Sequence, residues 1–258
     1  MTQDNPDFYP FATNRQPPLV AVVVPVRNEA DNILPLVTEI AAALDGRRPF
    51  EMIFVDDGSD DATPARLSEA QERHPELRVL RHRVGCGQSQ AVASGVKAAR
   101  AALIATLDGD GQNDPADIPR LLDRLLAEPP AERDRLLVAG YRQKRQDNTL
   151  RRLSSKVANG VRARLLNDDT PDSGCGLKVL SREAFLDMPR FNHMHRFLPA
   201  LMIRRGGRVV SMQVNHRPRQ RGLSKYGLWN RLWVGIVDLL GVMWLQRRAS
   251  VPVIEQRD

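Results

Sequence analysis

Between residues 19 and 140, short runs of β-branched and aliphatic residues alternate with segments of helical period, and few folds accommodate that rhythm. The runs are LVAVVVP, EMIFVD, LRVLRH, LIATLD and RLLVAG, and the helical segments fall at 31–44, 64–74, 88–101 and 117–127. Such alternation reads as successive βαβ units, which predicts an α/β fold: a Rossmann-like, mostly parallel sheet with helices on both faces. Ligands of such sheets gather outside the carboxyl ends of the strands. After residue 140 the pattern changes to a basic helix at 150–166, a polar glycine-bearing turn at 172–176 and a strand at 208–216. An Arg-, Gly- and Lys-rich loop at 217–227 and a last amphipathic helix at 228–247 follow.

With 258 residues and 42% apolar content, the chain can bury one substantial core. The expected organisation is a flexible tail at 1–18, one α/β domain at 19–227, and a membrane-associating helix with its tail at 228–258. Cys86 and Cys175 lie far apart and form no CxxC pair, which predicts neither a disulfide framework nor a thiolate zinc site and fits a reducing compartment. The net charge of +7 points to an anionic partner: nucleic acid, a phosphorylated ligand or an acidic membrane surface. No charged segment followed by an apolar one opens the chain, so no secretory leader is expected. The longest apolar stretch, 232–245, is interrupted by Asp238 and is shorter than the roughly 20 residues that cross a bilayer.

Three predicted strand ends carry polar clusters: VVPVRNEADNI, FVDDGSDDATP and TLDGDGQNDP. On a parallel sheet these ends share one edge, so their carboxylates and amides are expected in one crevice. Asp108, Asp110 and Gln112 alternate, and along an extended chain all three would point the same way. Their oxygen ligands suit Mg2+ or Mn2+. An acidic turn or a helix cap is the plainer reading of such a pair taken alone. Asp56 and Asp57 can accept hydrogen bonds from a base imide or a ribose hydroxyl, or else close the turn before the next helix. Gly85 and Gly87 lack a third glycine and follow the third strand, which argues against a dinucleotide fingerprint. His193 and His195 bracket Met194; without a third ligand nearby they read as loop or packing residues rather than a zinc site.

PVRNEADNI, VDDGSDDAT, GCGQSQAVASGVKAARAALIATLDGDGQNDP and R-Q-R-G-L-S-K-Y, in this order and spacing, together resemble the polyprenyl-phosphate glycosyltransferases of glycosyltransferase family 2, the dolichyl-phosphate mannosyltransferase-like group. The likeness covers about residues 19–227. It implies a GT-A fold and an inverting transfer of sugar from a nucleotide-sugar donor to a polyprenyl phosphate, undecaprenyl or dolichyl, for cell-envelope glycan or lipid modification. By the same resemblance Pro25, Asn28, Glu29 and Asp56 are nucleotide contacts, Asp57 is a further one near the base or ribose, and Asp108, Asp110 and Gln112 bind the Mg2+ or Mn2+. Arg142 and one of Arg151 or Arg152 resemble phosphate-binding arginines. Arg219 and Lys225, in R-x-x-G-x-S-K, resemble a mobile clamp on the phosphates, to which guanidinium forks are suited. The plain alternative for any arginine of so basic a chain is a solvated surface residue.

Asp172, in PDSGCGLK, resembles a position near the acceptor. It would act as a general base toward a saccharide or lipopolysaccharide acceptor, whereas a phosphate acceptor arrives ionised and needs only positioning. The expected partners are therefore a nucleotide-sugar donor, a polyprenyl-phosphate acceptor and a membrane surface on the cytoplasmic face of the inner membrane, with room for a separate membrane-embedded protein. A non-catalytic nucleotide-sugar or nucleic-acid binder is the rival from another class. Against nucleic acid, the basic segments lack interleaved aromatics for base stacking. In the last helix Trp229, Trp233 and Trp244 fall in one arc with Ile236, Val237 and Leu240, which fits either the headgroup layer or a face docked on the core or on a second copy.

Overall fold

The computed structural model describes residues 17–142, 160, 162–218 and 228–250, and gives only the backbone for 228–234. The expected alternation is realised in β1 (Val20–Val26), α1 (Ala30–Leu44), β2 (Phe50–Asp56), α2 (Thr63–Arg73), β3 (Leu77–Arg81), α3 (Gln88–Ala98), β4 (Leu103–Thr106), α4 (Ile118–Leu126), α5 (Pro130–Arg133) and β5 (Leu136–Arg142). The second half adds β6 (Lys178–Ser181), α6 (Arg182–Leu186), α7 (Leu198–Arg204), β7 (Arg208–Val214) and α8 (Leu228–Arg247).

The strands form one seven-stranded sheet in the order β3-β2-β1-β4-β6-β5-β7. β3, β2, β1 and β4 run parallel, and β5 pairs parallel with β7. β6 is antiparallel to both β4 and β5 and joins the two parallel groups. Neither β6 nor the short helices α6 and α7 was expected from the sequence. Four residues are too few to display a period, and the sequence LKVLS carries a lysine where a buried strand should be apolar.

Side-chain alternation along β1 explains the two layers. Val20, Val22, Val24 and Val26 point into the core packed by α1 and α4, whereas Ala21 and Val23 point into the core packed by α3, α6 and α7. At the amino end of the sheet Glu51 is almost wholly buried. It accepts hydrogen bonds from the Arg100 and Ala101 amides at 2.6 and 3.0 Å and from Arg78 Nη1 at 3.0 Å. The carboxylate thereby ties β2 to the start of β4.

α8 has two faces. Leu239, Val242 and Met243 pack into the second core, Gln246 Nε2 donates to the Leu166 carbonyl at 2.8 Å, and Asp238 turns inward to His193 Nδ1 at 3.0 Å. Ile236, Val237, Leu240 and Trp244 stand exposed on the other side, at 40%, 64%, 59% and 62%. No helix of the described residues is long and apolar enough to cross a membrane. The sequence left open whether this helix docks or faces lipid, and it has a docked face and an open one. The side chains of Trp229 and Trp233 lie outside the described residues, as do the tail at 1–16, Arg151, Arg152, Arg219, Lys225 and most of the basic helix expected at 150–166.

Because Glu51 is buried and accepts from two backbone amides and from Arg78 and Arg100, Glu51→Ala is expected to lower the unfolding free energy by about 3 kcal/mol. Urea denaturation of parent and variant measures it.

Candidate active site

Val26 is in register with Asp56, and Val23 with Thr106, so β1, β2 and β4 deliver their following residues to one edge. The chain leaving β4 then passes tightly over the end of β1: a Cβ on Gly109 would lie 2.6 Å from Val26 Cγ1 and 2.8 Å from the Pro25 carbonyl oxygen. Only glycine permits that approach, and it sets Asp108 and Asp110 on either side of the crossing.

These two carboxylates form the centre of the site. Asp108 Oδ1 accepts from Gln88 Nε2 at 2.8 Å, and Asp110 Oδ1 accepts from the Gln112 amide at 3.1 Å. Burial, then the neighbouring Asp110 charge, pushes the Asp108 carboxyl up to about 6, while Lys178, Arg142 and Gln88 pull the other way. The donor set fits a hard divalent cation: all its atoms are oxygens, and the carboxylates repel each other without one. The extended alternation expected for Asp108, Asp110 and Gln112 is not what the chain does. Gly109 and Asp110 occupy a turn, and Gly111 adopts φ 73°, a left-handed conformation that reverses the path before Gln112. A turn, not pleating, gathers these residues.

At the ends of β1 and β2 the polar residues bind mostly one another. Asn28, at φ 55°, donates from Nδ2 to Asp60 Oδ1 at 2.5 Å and accepts the Asp60 amide at 3.0 Å. The Glu29 amide donates to Thr63 Oγ1 at 2.9 Å, and a Glu29 carboxylate oxygen accepts from Asn32 Nδ2 at 2.6 Å. Asp56 Oδ1 accepts from the Ser59 amide at 2.9 Å, and its Oδ2 lies 3.2 Å from Arg81 Nε. Pro25 is half-buried at the end of β1.

Asp57 braces the loop that leads into α3. Its Oδ1 accepts from the Cys86 amide at 2.8 Å and from His82 Nδ1 at 2.7 Å, and its Oδ2 accepts from the Gly87 amide at 2.8 Å. Burial alone would raise this carboxyl, but the Cys86 amide, His82 and the Gly87 amide outweigh it and hold the group below its usual range. Asp57, His82 and Cys86 also bring ligand atoms within 4.8 Å of one another, among the described residues the group with metal-ligand composition. The hydrogen bonds just given already occupy the Asp57 oxygens, and His82 Nε2 lies 2.9 Å from Ser94 Oγ, so the cluster acts as a brace.

On the far side of Asp108, Arg142 ends β5 and forks onto Asp172, with Nε to Oδ2 at 2.5 Å and Nη2 to Oδ1 at 2.9 Å. Burial would lower the guanidinium pKa, yet Asp172 raises it on balance, so Arg142 keeps its charge. Gly176 touches Asp108 so closely that a Cβ there would sit 2.3 Å from the carboxylate carbon.

Lys178, Gln88, Ser89 and His195 belong to the same neighbourhood and were not singled out as site residues from sequence. Gln88 and Ser89 begin α3 directly after the GCG run, and that position was the available signal. His195 Nδ1 lies 2.7 Å from Ser89 Oγ; burial, with Lys178, Arg196 and His193 nearby, lowers its pKa to about 3, so it is neutral. His193 and His195 therefore serve different partners, in keeping with a packing role.

The family model described as glycosyl transferase family 2 matches residues 21–188. A dodecaprenyl-phosphate galacturonate synthase from Rhizobium johnstonii is 37% identical over 238 residues, covering 90% of this chain and 69% of its own. An undecaprenyl-phosphate 4-deoxy-4-formamido-L-arabinose transferase from Edwardsiella ictaluri is 34% identical over 212 residues, 81% of this chain and 63% of its own. The chain thus spans about two thirds of the length of these relatives. Among solved structures, glucosyl-3-phosphoglycerate synthase from Mycobacterium tuberculosis, in complex with Mg2+ and uridine-diphosphate, superposes with a TM-score of 0.65 at 18% identity, over 92% of this chain and 81% of its own. That likeness is one of fold.

The raised pKa of Asp108 has a signed consequence. A carboxyl whose folded pKa lies above the usual 3.8 contributes stability that is present below about pH 4 and lost as pH rises through about 6. Thermal melting of metal-free protein should therefore show a downward component between pH 4 and 6. Asp108→Asn should flatten that component, and Mn2+ should raise the melting temperature of the parent mainly above pH 6.

Proposed function

This chain belongs to glycosyl transferase family 2, and from that premise we propose that it transfers a sugar, with inversion, from a nucleotide-sugar donor to a polyprenyl phosphate. The observation that carries the choice of acceptor is the Arg142–Asp172 fork. A saccharide hydroxyl must lose a proton as it attacks, and Asp172 was the base the sequence offered for that task. Both of its oxygens are held by a half-buried guanidinium, which makes it a poor base. A phosphate oxygen is already ionised and needs only to be placed. The relatives named for dodecaprenyl- and undecaprenyl-phosphate acceptors support the same reading.

In this reading Asp108 and Asp110, with Gln112, hold Mg2+ or Mn2+, which when bound supplies positive charge to the departing nucleotide diphosphate. Pro25, Asn28, Glu29 and Asp56 frame the nucleoside side of the crevice, and Asp57 keeps the loop before α3 in place beside it. Asp172 holds the Arg142 guanidinium near Asp108, where its charge acts on the same phosphates. Arg152 or Arg151, Arg219 and Lys225, all outside the described residues, are proposed to complete the phosphate clamp. Rate acceleration then comes from proximity and electrostatic stabilisation more than from proton transfer.

The acceptor resides in a bilayer, and the open face of α8 supplies a way to meet it. Ile236, Val237, Leu240 and Trp244 form an apolar arc, with Arg247 and Arg248 at the end of the helix. Apolar partitioning and attraction to anionic lipid add, and neither alone gives firm attachment. We place the protein peripherally on the cytoplasmic face of the inner membrane, where a separate membrane-embedded protein has room to join it.

Asp110→Ala is expected to reduce transfer by about 100-fold or more while the chain stays folded. The assay pairs the protein with a panel of radiolabelled nucleotide sugars and short polyprenyl phosphates, and a chelator should reproduce the loss in the parent. Turnover in the variant equal to the parent's would remove the cation from the mechanism. Leu240→Glu should weaken co-sedimentation with phosphatidylglycerol vesicles by about tenfold, with nucleotide binding unchanged; equal sedimentation of the variant would leave α8 a purely structural helix.

A further inference from the structure

Lys178 is 2% exposed, in the middle of a sheet, on the strand that joins the two parallel groups. Lysine is almost never buried to that degree unless its charge is met. Its Nζ donates to the carbonyls of Cys175 and, at 3.3 Å, of Ser173. Thr106, its register partner on β4, donates from Oγ1 to the Gly176 carbonyl at 2.6 Å. Two adjacent side chains thus capture three carbonyls, of Ser173, Cys175 and Gly176, in the segment 172–176. One end of that segment is Asp172, locked to Arg142; the other is Gly176, in contact with the Asp108 carboxylate. Burial lowers the Lys178 pKa on balance, while Cys175, Asp108 and Asp172 act the other way and favour the charged form.

We infer that Lys178 is a positioning residue for the transfer: its ammonium fixes the 172–177 segment, and with it the spacing between the Asp108/Asp110 cation site and the Arg142–Asp172 pair on the acceptor side. The inference rests on the transfer reading above. Stability alone does not account for the residue, because an apolar side chain of similar volume in the same strand costs less to bury than an ammonium. The cation also sits where its charge opposes metal binding at Asp108, a placement that serves a geometric role better than a metal-binding one.

That opposition makes the test specific. Lys178→Met keeps length and removes the charge, and Lys178→Gln removes the charge but keeps an N–H donor for the carbonyls. Four quantities are measured on each: the melting temperature without metal, Mn2+ affinity by electron paramagnetic resonance without donor, kcat and donor KM. Both variants should bind Mn2+ about tenfold more tightly, because a nearby positive charge is gone. In Lys178→Met, kcat should fall by about 30-fold or more with donor KM within about threefold of the parent. Lys178→Gln should show the same tightening with a smaller loss of kcat, and it serves alone if the methionine variant does not fold. Mn2+ binding that is unchanged, or weakened along with the melting temperature, overturns the inference, as does a kcat within about twofold of the parent in the folded variants tested. A parent protein that binds Mn2+ but transfers no sugar to any polyprenyl phosphate would instead sink the transfer reading, and the Mn2+ shift would still report on Lys178.

Discussion

Parallel strands that end in register concentrate carboxylates, and the energetics of this molecule turn on how each of those charges is met. β1, β2 and β4 bring Glu29, Asp56, Asp57, Asp108 and Asp110 to one edge of the sheet. Bringing like charges together while removing water from them is costly, so each needs donors, a cation or a proton. The surrounding architecture answers carboxylate by carboxylate.

Asp56 and Asp57 are met internally. Ser59 and Arg81 attend the first, and the Cys86 and Gly87 amides with His82 attend the second, which lowers the pKa of Asp57 in spite of its burial. Their charge is spent on shaping the turns that border the crevice. Asp108 and Asp110 differ: Asp108 accepts from a neutral Gln88 amide, and its pKa rises to about 6. In the proposed reading a divalent cation would relieve the strain that burial and the Asp110 charge place on Asp108. In the proposed reading the same comparison separates Asp172, engaged by a guanidinium fork, from a working base.

In the proposed reading the acceptor side is organised by a different device, a buried lysine on the strand that reverses direction. β6 must run antiparallel between β4 and β5, and this puts Lys178 beneath the loop that joins Asp172 to Gly176. The second core then carries α8, whose inner face is fixed by Leu239, Val242 and the Asp238–His193 contact while its outer arc stays apolar and open. In the proposed reading, site and lipid-facing arc sit on one rigid frame.

Much of this was legible in the chain because it depends on short-range pattern. The strands from LVAVVVP to RLLVAG and the helices between them announce themselves by period, and Asp108 and Asp110 follow from a motif at a strand end. Only the tertiary structure decided which partners those residues meet. Asp57 reads as a ligand contact or a turn cap until Cys86 and Gly87, about 30 positions later, fold over it. The turn through Gly109 and Gly111, rather than an extended run, presents the carboxylates. Lys178 in LKVLS gives no sign that it is buried, since four residues set no period and its partners are backbone carbonyls of the loop before it, which carry no side-chain signal. Periodicity records which face of an element turns inward, and so the sequence by itself determined the layers. Charge compensation is settled between atoms far apart along the chain, and so only folding decided which carboxylates brace the structure and which one is left with a raised pKa.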